Sequence, residues 1–187
     1  RKIPPLPSDP ERLPTVDVFI PTYNEGVDVV YVTATACTQL DYPKEKLNIY
    51  ILDDGGTAQK LNDPDPQRAA AARKRADSLK SMASRLGVNY FARETNRYAK
   101  AGNINEGLLR CTPRVDANDC DSAACANTGS GRSCGELILF LDCDHVPTAN
   151  ILQDTVGHFL QDPGLFLVQT PHFFVNAAPA ERSLGGG

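Results

Sequence analysis

Residues 137–147 read Leu137-Ile138-Leu139-Phe140-Leu141-Asp142-Cys143-Asp144-His145-Val146-Pro147. Five apolar residues in a row, stopped by an acidic cluster, predict a buried strand with a polar end. In extended chain, side chains at i and i+2 leave on the same side, so Asp142 and Asp144 converge on one point. Two carboxylates held that close repel each other, and a divalent cation compensates them. Mg²⁺ favours a few carboxylates completed by water and substrate phosphates. Two solvated turn acids, or Asp144 capping the next helix, fit the same pattern.

The motif recurs outward from this point. Residues 16–20 form a short β-rich run that stops at Pro21, and residues 47–52 a second one that stops at Asp53-Asp54-Gly55-Gly56. Residues 88–92 and 165–169 read as further strands, the last leading into Thr170-Pro171-His172-Phe173-Phe174. Between them lie stretches of helical spacing: 27–40, 101–109, and one from Thr148 or Asn150 to Leu160. Another starts with Asp65 as cap and Pro66 in the first turn, and is stopped by Gly87. Strands alternating with helices predict an α/β fold with a mostly parallel central sheet flanked by helices. Ligands of such sheets bind at the carboxyl ends of the strands.

The residues at those ends are the candidates. The first strand ends in Pro21-Thr22-Tyr23-Asn24-Glu25. At the second, Asp53 and Asp54 point to opposite faces, so one should reach a ligand while the other holds the Gly55-Gly56 turn. A simple turn is the plainer alternative. A fourth cluster, Arg93, Asn96, Lys100, Gly102 and Asn103, lies before a predicted helix. A lysine at a helix N-terminus can hold a phosphate, although an ordinary exposed lysine looks the same in sequence. His172 and Phe174 can stack on a sugar face or belong to the core. His145 and His158 lack a zinc-type spacing and read as structural.

Overall composition narrows the partners. The chain has 187 residues, enough for one packed domain. A net charge of -4 argues against a nucleic-acid-binding face. No run is long enough to span a bilayer as a helix. Of the six cysteines, Cys37 and Cys143 read as small core residues, and the others fall in or beside the polar stretch 112–135 without a CxxC pair. Free thiols in a reducing compartment are the expectation. The stretch 112–135, rich in Asp, Asn, Ser, Gly and Cys, reads as a surface-loop insertion.

Five motifs in order then carry a resemblance. Pro21-Thr22-Tyr23-Asn24-Glu25, Asp53-Asp54-Gly55-Gly56-Thr57, Ala99-Lys100-Ala101-Gly102-Asn103, Asp142-Cys143-Asp144-His145-Val146-Pro147 and Gln169-Thr170-Pro171-His172-Phe173-Phe174 resemble the motifs of bacterial-type cellulose synthase catalytic subunits. These are processive family 2 glycosyltransferases. The resemblance implies a Rossmann-like GT-A fold and transfer from UDP-glucose, with inversion, to a growing β-1,4-glucan. It assigns Thr22, Tyr23 and Glu25 to the uridine pocket, Asp53 to UDP, and Lys100 to the diphosphate. Asp142 and Asp144 go to Mg²⁺ or Mn²⁺, and His172 to Phe174 to the acceptor side. It further implies the cytoplasmic face of the plasma (inner) membrane, a membrane channel with accessory subunits, and cyclic-di-GMP sensing only through a domain absent here. Related β-glycan synthases of the curdlan, mixed-linkage, chitin or hyaluronan type, and a non-catalytic nucleotide-binding or assembly module, are the alternatives.

The departures matter too. Tyr98 stands where the family commonly has His, and 112–135 replaces a short link. The family's base lies in a TED motif and its acceptor end is held by Q-x-x-R-W; neither occurs here, and the chain has no Trp. The sequence starts on Arg1 and ends on Gly185-Gly186-Gly187. It therefore reads as an extended lead-in (1–14), a GT-A domain truncated at its C-terminal side (15–184) and a Gly tail (185–187). The expected fragment is soluble and unable to polymerise.

Overall fold

The computed structural model describes residues 3–111 and 135–172. Four strands, β1 (Val16–Thr22), β2 (Leu47–Asp53), β3 (Asn89–Phe91) and β4 (Leu137–Phe140), form one sheet in the order β3-β2-β1-β4. Every neighbouring pair is parallel. All seven residues of β1 and of β2 are buried, as expected of parallel strands covered on both faces.

The described residues form five α-helices, α1 (Val27–Thr38), α2 (Ala58–Leu61), α3 (Pro66–Leu86), α4 (Ala99–Cys111) and α5 (Ile151–Gln161), of which α1, α3, α4 and α5 pack on the sheet core. Strand alternation divides the core in two. Val18, Ile20, Ile49 and Ile51 pack on one face with Val30 and Cys37 of α1, Leu79 and Met82 of α3 and Val156 of α5. Phe19, Tyr50 and Leu52 face the other way, onto Cys111, Ile104 and Leu108 of α4. The α/β class expected from the alternation is thus the fold observed. The lead-in joins the first core through Leu13 and Leu6.

Helix α3 forms as its signals predict. The Asp65 carboxylate accepts from the amides of Gln67 and Arg68, and Pro66 opens the first turn. Gly87 closes it at φ 68°, a left-handed conformation that only glycine adopts at little cost.

Two elements differ from expectation. Strand β1 runs through Pro21 to Thr22. The carbonyls of Thr15 and Phe19 accept from Leu137 and Leu141, so odd positions of β1 face β4. Pro21 is the odd position beyond that ladder, and its missing N–H costs no sheet bond. Residues 165–169 are not a strand. Phe166 and Leu167 are 94% and 64% exposed, because no strand among the described residues offers them a ladder. No described helix is long and apolar enough to cross a membrane. The surface-loop insertion expected at 112–135 lies, but for Gly135, outside the described residues, as do Cys120, Cys125 and Cys134; so does the segment 173–187, with Phe173, Phe174 and the expected Gly tail.

Candidate functional site

A sheet with all strands parallel brings their carboxyl ends to one rim. Helix α1 leaves β1 over one face, while α4 precedes β4 on the other. The boundary between β1 and β4 is therefore a topological switch point, where α/β proteins open a ligand crevice. The sequence candidates fall around it.

Thr22 and Asp53 are register partners at the ends of β1 and β2. Both are buried, and Arg75 of α3 ties them together. Its Nη1 donates to Asp53 Oδ1 at 2.7 Å, Nη2 to Thr22 Oγ1 at 2.9 Å, and Nε to the Glu25 carbonyl at 3.0 Å. Asp53 Oδ1 also accepts from the Gly55 amide at 2.8 Å, and Oδ2 from the Tyr90 hydroxyl at 2.7 Å. Both Asp53 oxygens are thus engaged by the protein. Burial, followed by the Asp53 charge, pushes the Tyr90 phenol well above its usual pKa. Glu25 Oε2 accepts from Thr22 Oγ1 (2.8 Å) and from the amides of Tyr23 (2.6 Å) and Asn24 (3.1 Å). Partial desolvation opposes ionisation of Glu25, but these donors together outweigh it and hold the carboxyl below its usual value.

Asp54 turns toward the opposite side, as alternation requires. Arg93 grips it with Nε at 2.6 Å and Nη2 at 2.8 Å, a two-point ion pair shielded from solvent. Of the two acids, Asp53 therefore holds the Gly55 turn and Asp54 anchors Arg93. The glycines serve close approach of the chain to itself. A Cβ on Gly55 would stand 2.0 Å from the Tyr23 carbonyl oxygen, and one on Gly56 2.6 Å from Asp53 Oδ2.

Across the switch point, Lys100 in the first turn of α4 makes an ion pair with Asp142 after β4. Both side chains are about half exposed. Asp144 and His145 join Asp142, with one potential ligand atom from each lying within 4.8 Å of the others. Cys143 between the acids is buried, its carbonyl accepting from Thr33 Oγ1 of α1 at 2.7 Å. Burial, then the Glu25 charge, pushes its thiol up to about 11, so it stays protonated. Two carboxylates and an imidazole, solvent-accessible and opposite Lys100, fit a divalent cation of the Mg²⁺ or Mn²⁺ kind.

Of the remaining candidates, Tyr23 and His172 are exposed. Tyr23 is 42% exposed, with the Lys60 ammonium 3.4 Å from its ring centroid. Lys60 also donates to Asn24 Oδ1 at 2.8 Å. The His172 ring lies 4.5 Å from that of His145, beside the acid pair. Asn103 reaches back from α4 to the Leu52 carbonyl at 2.8 Å.

Sequence reasoning did not find Arg75, Tyr90, Lys60, Thr33 or the place of His145. Arg75 left a trace: it lies four residues before Leu79 and seven before Met82, on the buried stripe of α3. An arginine on an apolar stripe signals a buried acid to be met.

A parallel sheet that gathers a lysine and paired acids at its switch point defines an α/β protein with a candidate ligand crevice at the carboxyl ends of its strands. The chain belongs to glycosyl transferase family 2, whose description its residues 17–117 match. Over 179 residues it is 39% identical to the cellulose synthase catalytic subunit (UDP-forming) of Pseudomonas fluorescens strain SBW25, covering 96% of this chain and 19% of that protein. The corresponding subunit of Xanthomonas axonopodis pv. citri strain 306 is 38% identical over 98% of this chain and 20% of its own length. Cellulose synthase 1 of Komagataeibacter xylinus is 37% identical over 98% of this chain and 9% of its length. The chain thus spans a fifth or less of the length of these relatives.

Proposed function

We propose that this chain is the donor-binding part of a processive, inverting β-1,4-glucan synthase that uses UDP-glucose. The observation that carries this reading is the meeting of Lys100 with Asp142, Asp144 and His145 across the switch point. In this reading Thr22, Tyr23 and Glu25 form the wall for the uridine, with Asp53 fixed behind it. Lys100 turns from Asp142 to the diphosphate when the nucleotide enters. Asp142 and Asp144 would hold Mg²⁺ or Mn²⁺, which when bound would supply positive charge to offset that developing on the diphosphate leaving group. His172 and Phe174 belong to the acceptor side, where the growing glucan ends. The full-length protein works at the cytoplasmic face of a membrane with its channel and accessory subunits.

Inverting transfer also needs a base to take the proton of the attacking hydroxyl. The TED motif that would supply it is not in these 187 residues, so the chain alone binds donor and makes no polymer. Calorimetric titration of UDP with and without Mn²⁺ tests the reading. Metal-dependent binding that disappears in Asp142→Ala and in Asp144→Ala is expected. Binding unchanged in both variants removes the metal role, and glucan made by the isolated chain removes the account of the base. Linkage analysis of the full-length protein's product separates β-1,4-glucan from curdlan, mixed-linkage and other β-glycans.

A further inference from the structure

Arg93 does more than neutralise Asp54. Its side chain is 9% exposed, with two guanidinium nitrogens on that carboxylate. The rest of the fork is directed at the segment that leads into α4. Nη1 donates to the Arg97 carbonyl at 2.6 Å, and Nη2 to Asn96 Oδ1 at 2.9 Å and to the Ala99 carbonyl at 2.8 Å. One planar cation therefore fastens the end of β2 to three points of the chain between residues 96 and 99.

Those points need fastening. Tyr98 and Ala99 are consecutive left-handed residues, at φ 60° and 44°, and neither is glycine. Such conformations are strained and persist only where the surroundings over-determine them. The Tyr98 side chain is 87% exposed and offers little packing to do this. The Arg93 fork does it from beneath, and the first turn of α4 is seated directly on it. The Gly102 amide donates to the Tyr98 carbonyl at 3.0 Å. A Cβ on Gly102 would stand 2.0 Å from the Arg97 carbonyl oxygen and 2.8 Å from Arg93 Nη1. Lys100 is the residue that immediately follows the strained pair.

We propose that Arg93 is the positioning residue for Lys100: anchored on Asp54, it holds residues 96–99 in the strained path that aims the lysine across the switch point at Asp142 and the nucleotide phosphates. The proposal rests on the phosphate role of Lys100 given above. Lysine cannot replace this arginine, since an ammonium lacks the planar fork that serves the carboxylate and three loop acceptors together.

The test uses the full-length protein, with UDP and Mn²⁺ as the probe, in a double-mutant cycle of Arg93→Lys and Lys100→Ala. Arg93→Lys is expected to weaken UDP about tenfold in the parent background and less than about twofold when Lys100 is already Ala, because contacts in one network do not add. Backbone amide exchange should accelerate over residues 96–103 and stay unchanged in α3. Asn96→Ala removes a single half-buried acceptor of the fork and tests the same dependence where Arg93→Lys fails to fold, with a smaller loss expected. Losses that add in full across the cycle, or exchange that does not change over 96–103, overturn the proposal. A Lys100→Ala protein that binds UDP like the parent overturns instead the phosphate role of Lys100, and the functional consequence assigned to Arg93 falls with it.

Discussion

Arg75, two-thirds of the way from the strand-end acids to the close of α3, donates to Asp53 Oδ1 at 2.7 Å, while the Asp53 side chain is fully buried. That carboxylate is the point where β1, β2, β3 and α3 meet, because Thr22, Gly55 and Tyr90 share its network. Removing one partner of a buried pair leaves an uncompensated charge. Arg75→Ala is therefore expected to destabilise the fold by about 3–5 kcal/mol, read from the urea midpoint. Arg75→Lys, which keeps the charge and loses the fork, should recover part of the loss.

Lys100 and Asp142 form the opposite kind of pair. Their side chains are 55% and 44% exposed, and solvent screens their attraction. Lys100→Ala and Asp142→Ala should each shift stability by less than about 1 kcal/mol. Both should sharply weaken UDP binding in the presence of Mn²⁺. Thermal unfolding and calorimetric titration on the same samples separate the two effects.

Glu25 and Asp17 carry opposite pH signatures. Glu25 is held below its usual value of 4.5, so its contribution is complete above that pH and is lost as pH falls through the folded value. Asp17 is raised from 3.8 by burial, against the lowering effect of the Gly135 amide and Asn48. Its contribution is full below 3.8 and is lost as pH rises through the folded value. In urea titrations from about pH 3 to about pH 7, Glu25→Gln should flatten the acid limb of the stability curve and Asp17→Asn should steepen it.

Gly55 is fixed by contact with the chain itself. An added methyl would meet the Tyr23 carbonyl at 2.0 Å and Arg75 Nη1 at 2.4 Å, and the backbone oxygen cannot swing aside. Gly55→Ala should cost about 1–3 kcal/mol and disturb both the turn and the Arg75 network. Amide exchange around residues 53–57 and the urea midpoint report it.

Much of this was legible in the chain. Continuous apolar or β-rich runs and helical spacing located β1, β2, β4, α1, α3 and α5 to within a few residues, since those patterns are set by which side chains must be buried. The caps of α3 were readable because Asp65, Pro66 and Gly87 act on backbone only a few residues away. Residues 165–169 carry the pattern of a strand and do not form one, because pairing depends on a neighbour that local sequence does not specify. The spacing of His145 fits no zinc motif and reads as structural, yet the turn after β4 brings it to Asp142 and Asp144.

The sequence by itself determined that acids would close the strands of a parallel sheet, because hydrophobic runs and turn residues are local facts. The acid pair at residues 142 and 144 and the candidate lysine at residue 100 came from that reading. Only the tertiary structure decided which acid does what. Asp53 and Asp54 differ by one residue and are chemically identical, but the pleat sends one to Arg75 and the other to Arg93. Those arginines lie 22 and 39 residues further along the chain, and only the packing of the helices and β3 on the sheet brings them to their partners.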